Sequence, residues 1–165
     1  MRRLILSLLM LGFTLFATSS FADDKFGYVS LEKILRESPP AIEMGKKLQK
    51  EFAPRGEELD QMQKQINDRV AAMDKDALTM SETDRHNKEQ DISNSNVELQ
   101  RKKRELSEDF ELRKGQELAT LQERINKAVT AIAQADGYDL VMYENVAYAS
   151  KAVDITDKVM KSLVN

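Results

Sequence analysis

The stretch Asp76-Ala77-Leu78-Thr79-Met80-Ser81-Glu82-Thr83-Asp84 decides how this chain folds. On both sides of it, from Ala41 to about Ala135, the chain is Glu, Lys, Gln, Arg, Leu and Ala with few turn formers, a mixture that favours long helices. Within the quoted stretch the apolar periodicity fails. Ser81-Glu82-Thr83-Asp84 then has the form of a new helix start, because Ser81 can accept from free N–H groups of the first turn and acids sit at its positive end. A helix-forming run interrupted near residue 79 predicts two helices that reverse on each other, an antiparallel hairpin over residues 41–135.

The apolar residues support that reading. Leu48, Phe52, Leu59, Met62, Ile66, Val70 and Met73 recur at spacings of three, four and seven, which approximates one stripe of coiled-coil period interrupted at Arg55. Ile92, Leu99, Leu106, Phe110, Leu118, Leu121, Ile125, Val129 and Ile132 form a second stripe. Each arm would run about 40 to 50 residues, on the order of 60 to 75 Å. So thin a pair has no globular core and must be held by its seam. Ser93-Asn94-Ser95-Asn96 places small polar residues where packing is needed, so the distal arm is expected to be mobile. With a turn near residue 80, Gly45 and Gly115 would lie opposite one another, either by coincidence or as a hinge or point of close approach. Pro54 with Gly56 should bend the first arm, since proline removes a helical hydrogen bond.

Further outward lie two short β-rich segments, residues 23–40 and 136–165. Phe26-Gly27-Tyr28-Val29-Ser30-Leu31 reads as a strand, and Leu31 to Glu37 as a brief helix halted by Ser38-Pro39-Pro40. Asp136-Gly137 stops the second arm. Tyr138-Asp139-Leu140-Val141-Met142-Tyr143 and Val146-Ala147-Tyr148-Ala149 read as strands joined at Glu144-Asn145. Asp154 can cap a last helix with Ile155, Val159 and Leu163 on one face. The hairpin returns the chain to its start, so these pieces form one small body, α+β within a mainly α fold. Three short strands and a small helix bury little alone, so self-association is expected.

The amino terminus has Arg2 and Arg3, an apolar run from Leu4 to Phe16, and Ser20-Phe21-Ala22, the pattern of an export leader cleaved after Ala22. The apolar run is about two-thirds of the roughly 20 residues a membrane span needs. A leader over residues 1–22 and a soluble exported chain from Asp23 are therefore expected. The full chain has 28 acids, 25 bases and a net charge of −3; loss of Arg2 and Arg3 makes it two charges more negative. That balance argues against nucleic acid as a partner. The absence of cysteine removes disulfides, thiol catalysis and cysteine-held metals.

No phosphate loop, dinucleotide fingerprint, nucleophile elbow or zincin motif is present in the sequence, so neither a cofactor nor catalysis is expected. The single histidine, His86, stands among charged residues near the tip and reads as solvated. A carboxylate-dependent hydrolase would need a concavity that a thin hairpin does not offer. Arg101-Lys102-Lys103-Arg104 is the one basic cluster, either a solvated helix face or a contact for anionic headgroups. Methionine adapts to varied partners. Met62 and Met73 suit the seam, whereas Met44 and Met80 are candidates for contact with a bound client.

A leader, a strand opening Phe26-Gly27-Tyr28-Val29-Ser30, a long hairpin, the segment Tyr138 to Tyr148 and Val153-Asp154-Ile155-Thr156 together resemble the Skp (OmpH-like) family of periplasmic chaperones. The resemblance runs from Asp23 onward and is most specific from Tyr138 to Thr156. It implies a trimer with a central β body, formed here by Phe26, Tyr28, Val29, Leu140, Val141, Met142, Val146 and Tyr148, from which three helical arms hang. It also implies an ATP-independent holdase for unfolded outer-membrane proteins in the periplasm. Familiar members are basic toward the tips and linked to acidic lipids and lipopolysaccharide. Here Asp74 to Asp91 holds six acids and three bases, Lys75, Arg85 and Lys88. This argues against membrane or lipopolysaccharide contact at the tip and leaves Arg101 to Arg104 as the candidate for it. The competing reading is a passive coiled-coil envelope tether or adaptor, which calls for unbroken heptads and an anchor.

Overall fold

A computed structural model describes residues 24–164; the leader and its cleavage site lie outside them. In chain order the elements are β1 (Phe26–Tyr28), α1 (Leu31–Glu37), α2 (Pro39–Asp76), α3 (Glu82–Asp136), β2 (Leu140–Met142) and α4 (Thr156–Ser162). The long helices α2 and α3 pack along one another as a hairpin. At 1.5 Å per residue they span about 57 and 82 Å.

The punctuation follows from local chemistry. Ser30 caps α1, accepting from the Lys33 N–H at 3.2 Å. Ser38 serves two helices at once. Its N–H donates to the Ile34 carbonyl at 2.9 Å, and its side chain accepts from the Ala41 N–H at 3.4 Å. Pro39 and Pro40 then occupy the first positions of α2, where a helix needs no N–H of its own. The arm therefore begins at Pro39 rather than Ala41: the prolines that end α1 also start α2. At the reversal Ser81 caps α3, accepting from the Asp84 N–H at 3.1 Å. Gly137 closes α3 in the left-handed conformation, φ 70°, which an L side chain adopts at a cost.

The sheet has two parallel strands, with Phe26 beside Leu140, Gly27 beside Val141 and Tyr28 beside Met142. The other edge of β1 is taken by a single bridge to Asp154, with Tyr28 N–H donating to Val153 at 2.8 Å and Ile155 N–H to Tyr28 at 2.9 Å. This corrects the expected strand at Val146–Ala149, which is irregular. Both edges of β1 are occupied by other segments, and residues 146–149 do not pair with the free edge of β2, so they have no ladder for their backbone groups. Asp154 acts as expected, its carboxylate accepting from the Thr156 N–H at 2.9 Å, although the residue directly before α4 is Ile155.

The body core forms where α3 outruns α2. Leu121, Ile125, Val129 and Ile132 of α3 meet Val29, Ile34, Ile155, Val159 and Leu163. The three apolar residues expected on one face of α4 are thus all buried. Gly27 allows the sheet to sit close, since a Cβ there would come within 3.2 Å of Ile155 and Val141. A second cluster lies midway along the arm, with Leu59, Ile66 and Leu99 buried and Met62, Ile92 and Leu106 packed on them. Between Ile66 and Leu99, around the tip, no residue is fully buried. The seam fades toward the tip, as expected.

Candidate functional site

Two surfaces stand out. The first is the sheet. Side chains alternate across a strand, so Phe26 and Tyr28 share a face with Leu140 and Met142, while Gly27 and Val141 point to the core. Phe26, Leu140 and Met142 are all exposed, giving an uncovered apolar face. The predicted body set divides accordingly. Val29 is fully buried and Val141 packs on the core, so both serve this chain's own fold. Val146 is half-buried, and Tyr148 is 84% exposed on the irregular segment.

The second surface is the arm. Its edges carry cross-arm pairs: Lys47 with Glu117 at 2.6 Å, Glu51 with Arg113 at 3.3 Å, Arg55 with Asp109 at 2.8 Å and Glu58 with Lys102 at 2.6 Å. Between them Phe52 and Phe110 meet edge to face with centroids 5.3 Å apart. Arg55, which breaks the apolar stripe, lies 5.7 Å from the Phe52 ring centroid, so the interruption is itself a contact. Hydrogen bonding from Lys102 holds the Glu58 carboxyl below its usual range. Lys47, with Arg113 nearby, does the same for Glu117.

These pairs correct two expectations. Lys47 opposite Glu117 and Glu51 opposite Arg113 set Gly45 against the turn after Gly115, and a Cβ at either glycine would meet nothing within 4 Å. Neither marks a close approach. The run Arg101 to Arg104 is not a free basic patch either. Arg101 is held by Glu98 and Glu105, Lys102 by Glu58, and Lys103 donates to Gln63 at 3.2 Å. Lys103 and Arg104 have no ion pair among the described residues, so half of the run is charge-paired.

The methionines also separate. Met44 is half-buried and packs against the body core, whereas Met80 is half-buried at the tip. The most exposed large aliphatics on the arm are Leu78, fully exposed, Val97 at 67% and Leu112 at 65%, with Ile42 less so near the body. Sequence reasoning passed over them by attending to methionine, although Val97 and Leu112 fall off the α3 stripe. α2 runs unbroken through Pro54 and Gly56, and α3 is likewise continuous through Ser93–Asn96, where the Ser95 and Asn96 side chains bond back to Asp91 and Ile92. His86 is exposed. Among the described residues no cluster could hold a metal, and no helix is long and apolar enough to cross a membrane.

Comparison with known proteins gives one consistent answer. Residues 25–163 match the family model described as outer membrane protein (OmpH-like). The chaperone protein Skp of Pectobacterium atrosepticum is 33% identical over 155 residues, covering 93% of this chain and 94% of that one. Skp of Yersinia enterocolitica is 30% identical over 154 residues, with the same shares covered. A crystal structure described as an OmpH-like outer membrane chaperone of Caulobacter crescentus superposes with a TM-score of 0.75, covering 85% of this chain and 83% of that one. At 18% identity that likeness speaks for the fold alone.

Proposed function

The chain belongs to the OmpH-like outer membrane protein family, and from that premise we propose that it is an ATP-independent periplasmic holdase that shelters unfolded outer-membrane proteins and prevents their aggregation. The observation that carries the reading is the arm: a long, thin helical pair that keeps Leu78, Val97 and Leu112 in solvent, away from its own seam. An unfolded barrel protein exposes alternating apolar residues and unpaired strand edges. Many weak contacts along such arms would hold it without a defined pocket, and would release it without hydrolysis. The protein works by binding rather than catalysis.

The uncovered face of Phe26, Tyr28, Leu140 and Met142, with Tyr148, supports assembly through the body as a homotrimer, the arms enclosing the client between them. Pro54 deprives the Lys50 carbonyl of its helical donor, and with Gly56 makes this part of α2 the place where an arm would flex around clients of different size; Gly45 and Gly115 add backbone freedom nearer the body. Export and removal of the leader after Ala22 would deliver the protein to its clients. Membrane contact has little support, given the acidic tip and the ion-paired Arg101 and Lys102.

The reading is tested by titrating a fluorescently labelled, urea-unfolded outer-membrane barrel protein, diluted into buffer without nucleotide. Anisotropy should rise at micromolar chaperone or below, and a flat titration would refute the proposal. A triple variant, Leu78→Ser, Val97→Ser and Leu112→Ser, should bind roughly tenfold more weakly, the scale of losing a few partly buried aliphatic contacts. Equal binding would move the client surface elsewhere.

A further inference from the structure

We propose that the cross-arm ion pairs form a ladder of alternating polarity that fixes the register of the hairpin. Along α2 the rungs are Lys47, Glu51, Arg55 and Glu58, so their charges alternate; their partners on α3 are Glu117, Arg113, Asp109 and Lys102. Each rung is only a surface pair, and singly such pairs hold little. Their order is what carries information.

Apart from the Phe52–Phe110 contact, the apolar seam of the mid-arm supplies little of that information. Its mid-arm residues are spaced by seven, Leu59 and Ile66 on α2 and Ile92, Leu99 and Leu106 on α3. Sliding one helix by seven residues, about 10.5 Å, therefore sets apolar against apolar once more. The charges do not tolerate it. In one direction Lys47 meets Arg124 and Glu58 meets Asp109; in the other Arg55 meets Lys102. In both directions all four attractive pairs are lost.

A slip of four residues fares no better. One direction opposes Glu51 to Glu117 and Arg55 to Arg113, the other Lys47 to Arg113 and Glu51 to Asp109. Like charges facing each other across a helix pair are what coiled coils use to reject wrong alignments. The observed alignment is the one that pairs every rung. It keeps the reversal short, residues 77–81, and brings the longer α3 past the start of α2 by the amount the body core needs.

The chain has no cysteine, so introduced pairs report register without background. Arg69→Cys with Ser95→Cys marks the observed alignment, where these side chains lie 3.1 Å apart. Arg69→Cys with Lys88→Cys and Asp76→Cys with Ser95→Cys mark seven-residue slips in either direction. Each pair is treated with a short bismaleimide in three backgrounds: the natural ladder, a one-arm reversal (Lys47→Glu, Glu51→Lys, Arg55→Glu, Glu58→Lys), and that reversal joined to Lys102→Glu, Asp109→Lys, Arg113→Glu and Glu117→Lys.

The natural ladder should favour the Arg69–Ser95 cross-link. One-arm reversal should lower its yield relative to the slipped pairs by roughly fivefold or more, the scale of several surface pairs changing sign. Two-arm reversal should restore it. An unchanged preference after one-arm reversal would overturn the proposal. Should the one-arm variant lose its helical circular dichroism, the two-arm variant decides: recovery of helicity together with the Arg69–Ser95 link supports the ladder, and failure to recover overturns it.

Discussion

Thr156 shows how much a single residue holds together in this body. It is fully buried, accepts from the Ser30 N–H at 2.9 Å and donates to the Asp154 carboxylate, tying the cap of α1 to the start of α4. Thr156→Val keeps the volume but leaves the Ser30 N–H and one carboxylate bond unmet, and should cost about 1 to 3 kcal/mol. Thermal unfolding would read this as a lower midpoint, and an unchanged midpoint would mean water replaces the bonds. The cap residues Ser81 and Asp154 and the stop at Gly137 were readable from sequence, because their preferences act within a few positions. Thr156 was not, since its importance depends on Ser30, more than a hundred residues away. The packing of Met44 on the body core was hidden for the same reason: nothing local places it there.

At the scale of elements, the hairpin was legible because its composition and its one break are local signals. The strand predicted at Val146–Ala149 did not form: β1 has both edges taken by β2 and the Val153–Ile155 segment, and the chain after Asn145 does not return along the free edge of β2. The register of the arms was half legible. Counting outward from residue 80 misplaced Gly45 by about a turn, because the first turn of α3 reaches past the end of α2 and Lys47 faces Glu117. The ion-pair edges give the arm a distinct acid response. Glu58 faces Lys102 and Arg55, and Glu117 faces Lys47 and Arg113, and both carboxyls are held below their ordinary range. The sign follows: pairing is complete above the unfolded glutamate value of about 4.3, and its contribution is lost as pH falls through the lower folded value. Amide exchange in residues 47–58 and 102–117 should therefore quicken below about pH 4.3 more than exchange in the body core. The double variant Glu58→Gln, Glu117→Gln should flatten that difference; an equal acid response in that variant would deny the pairs this role.

The whole molecule joins a small body to an arm with almost no interior, and that division sets what each part can do. The body buries its core around α3 yet leaves Phe26, Leu140 and Met142 uncovered, so assembly is its natural completion. Size-exclusion chromatography with light scattering should return a mass near three chains. Phe26→Asp with Leu140→Asp should shift it toward one, because burying unpaired carboxylates opposes association. A monomeric mass for the unaltered protein would remove the trimer. The arms meanwhile expose aliphatics on a scaffold held by a thin apolar seam with ion-paired edges. That combination suits repeated, weak engagement of an unfolded chain.

Above all, these arms should keep an unfolded outer-membrane protein from aggregating. This is tested most directly by diluting a denatured barrel protein from urea into buffer, with and without a severalfold molar excess of this protein, and following light scattering without nucleotide. Scattering should be largely suppressed. Scattering that rises as fast with the protein as without it would contradict the holdase reading.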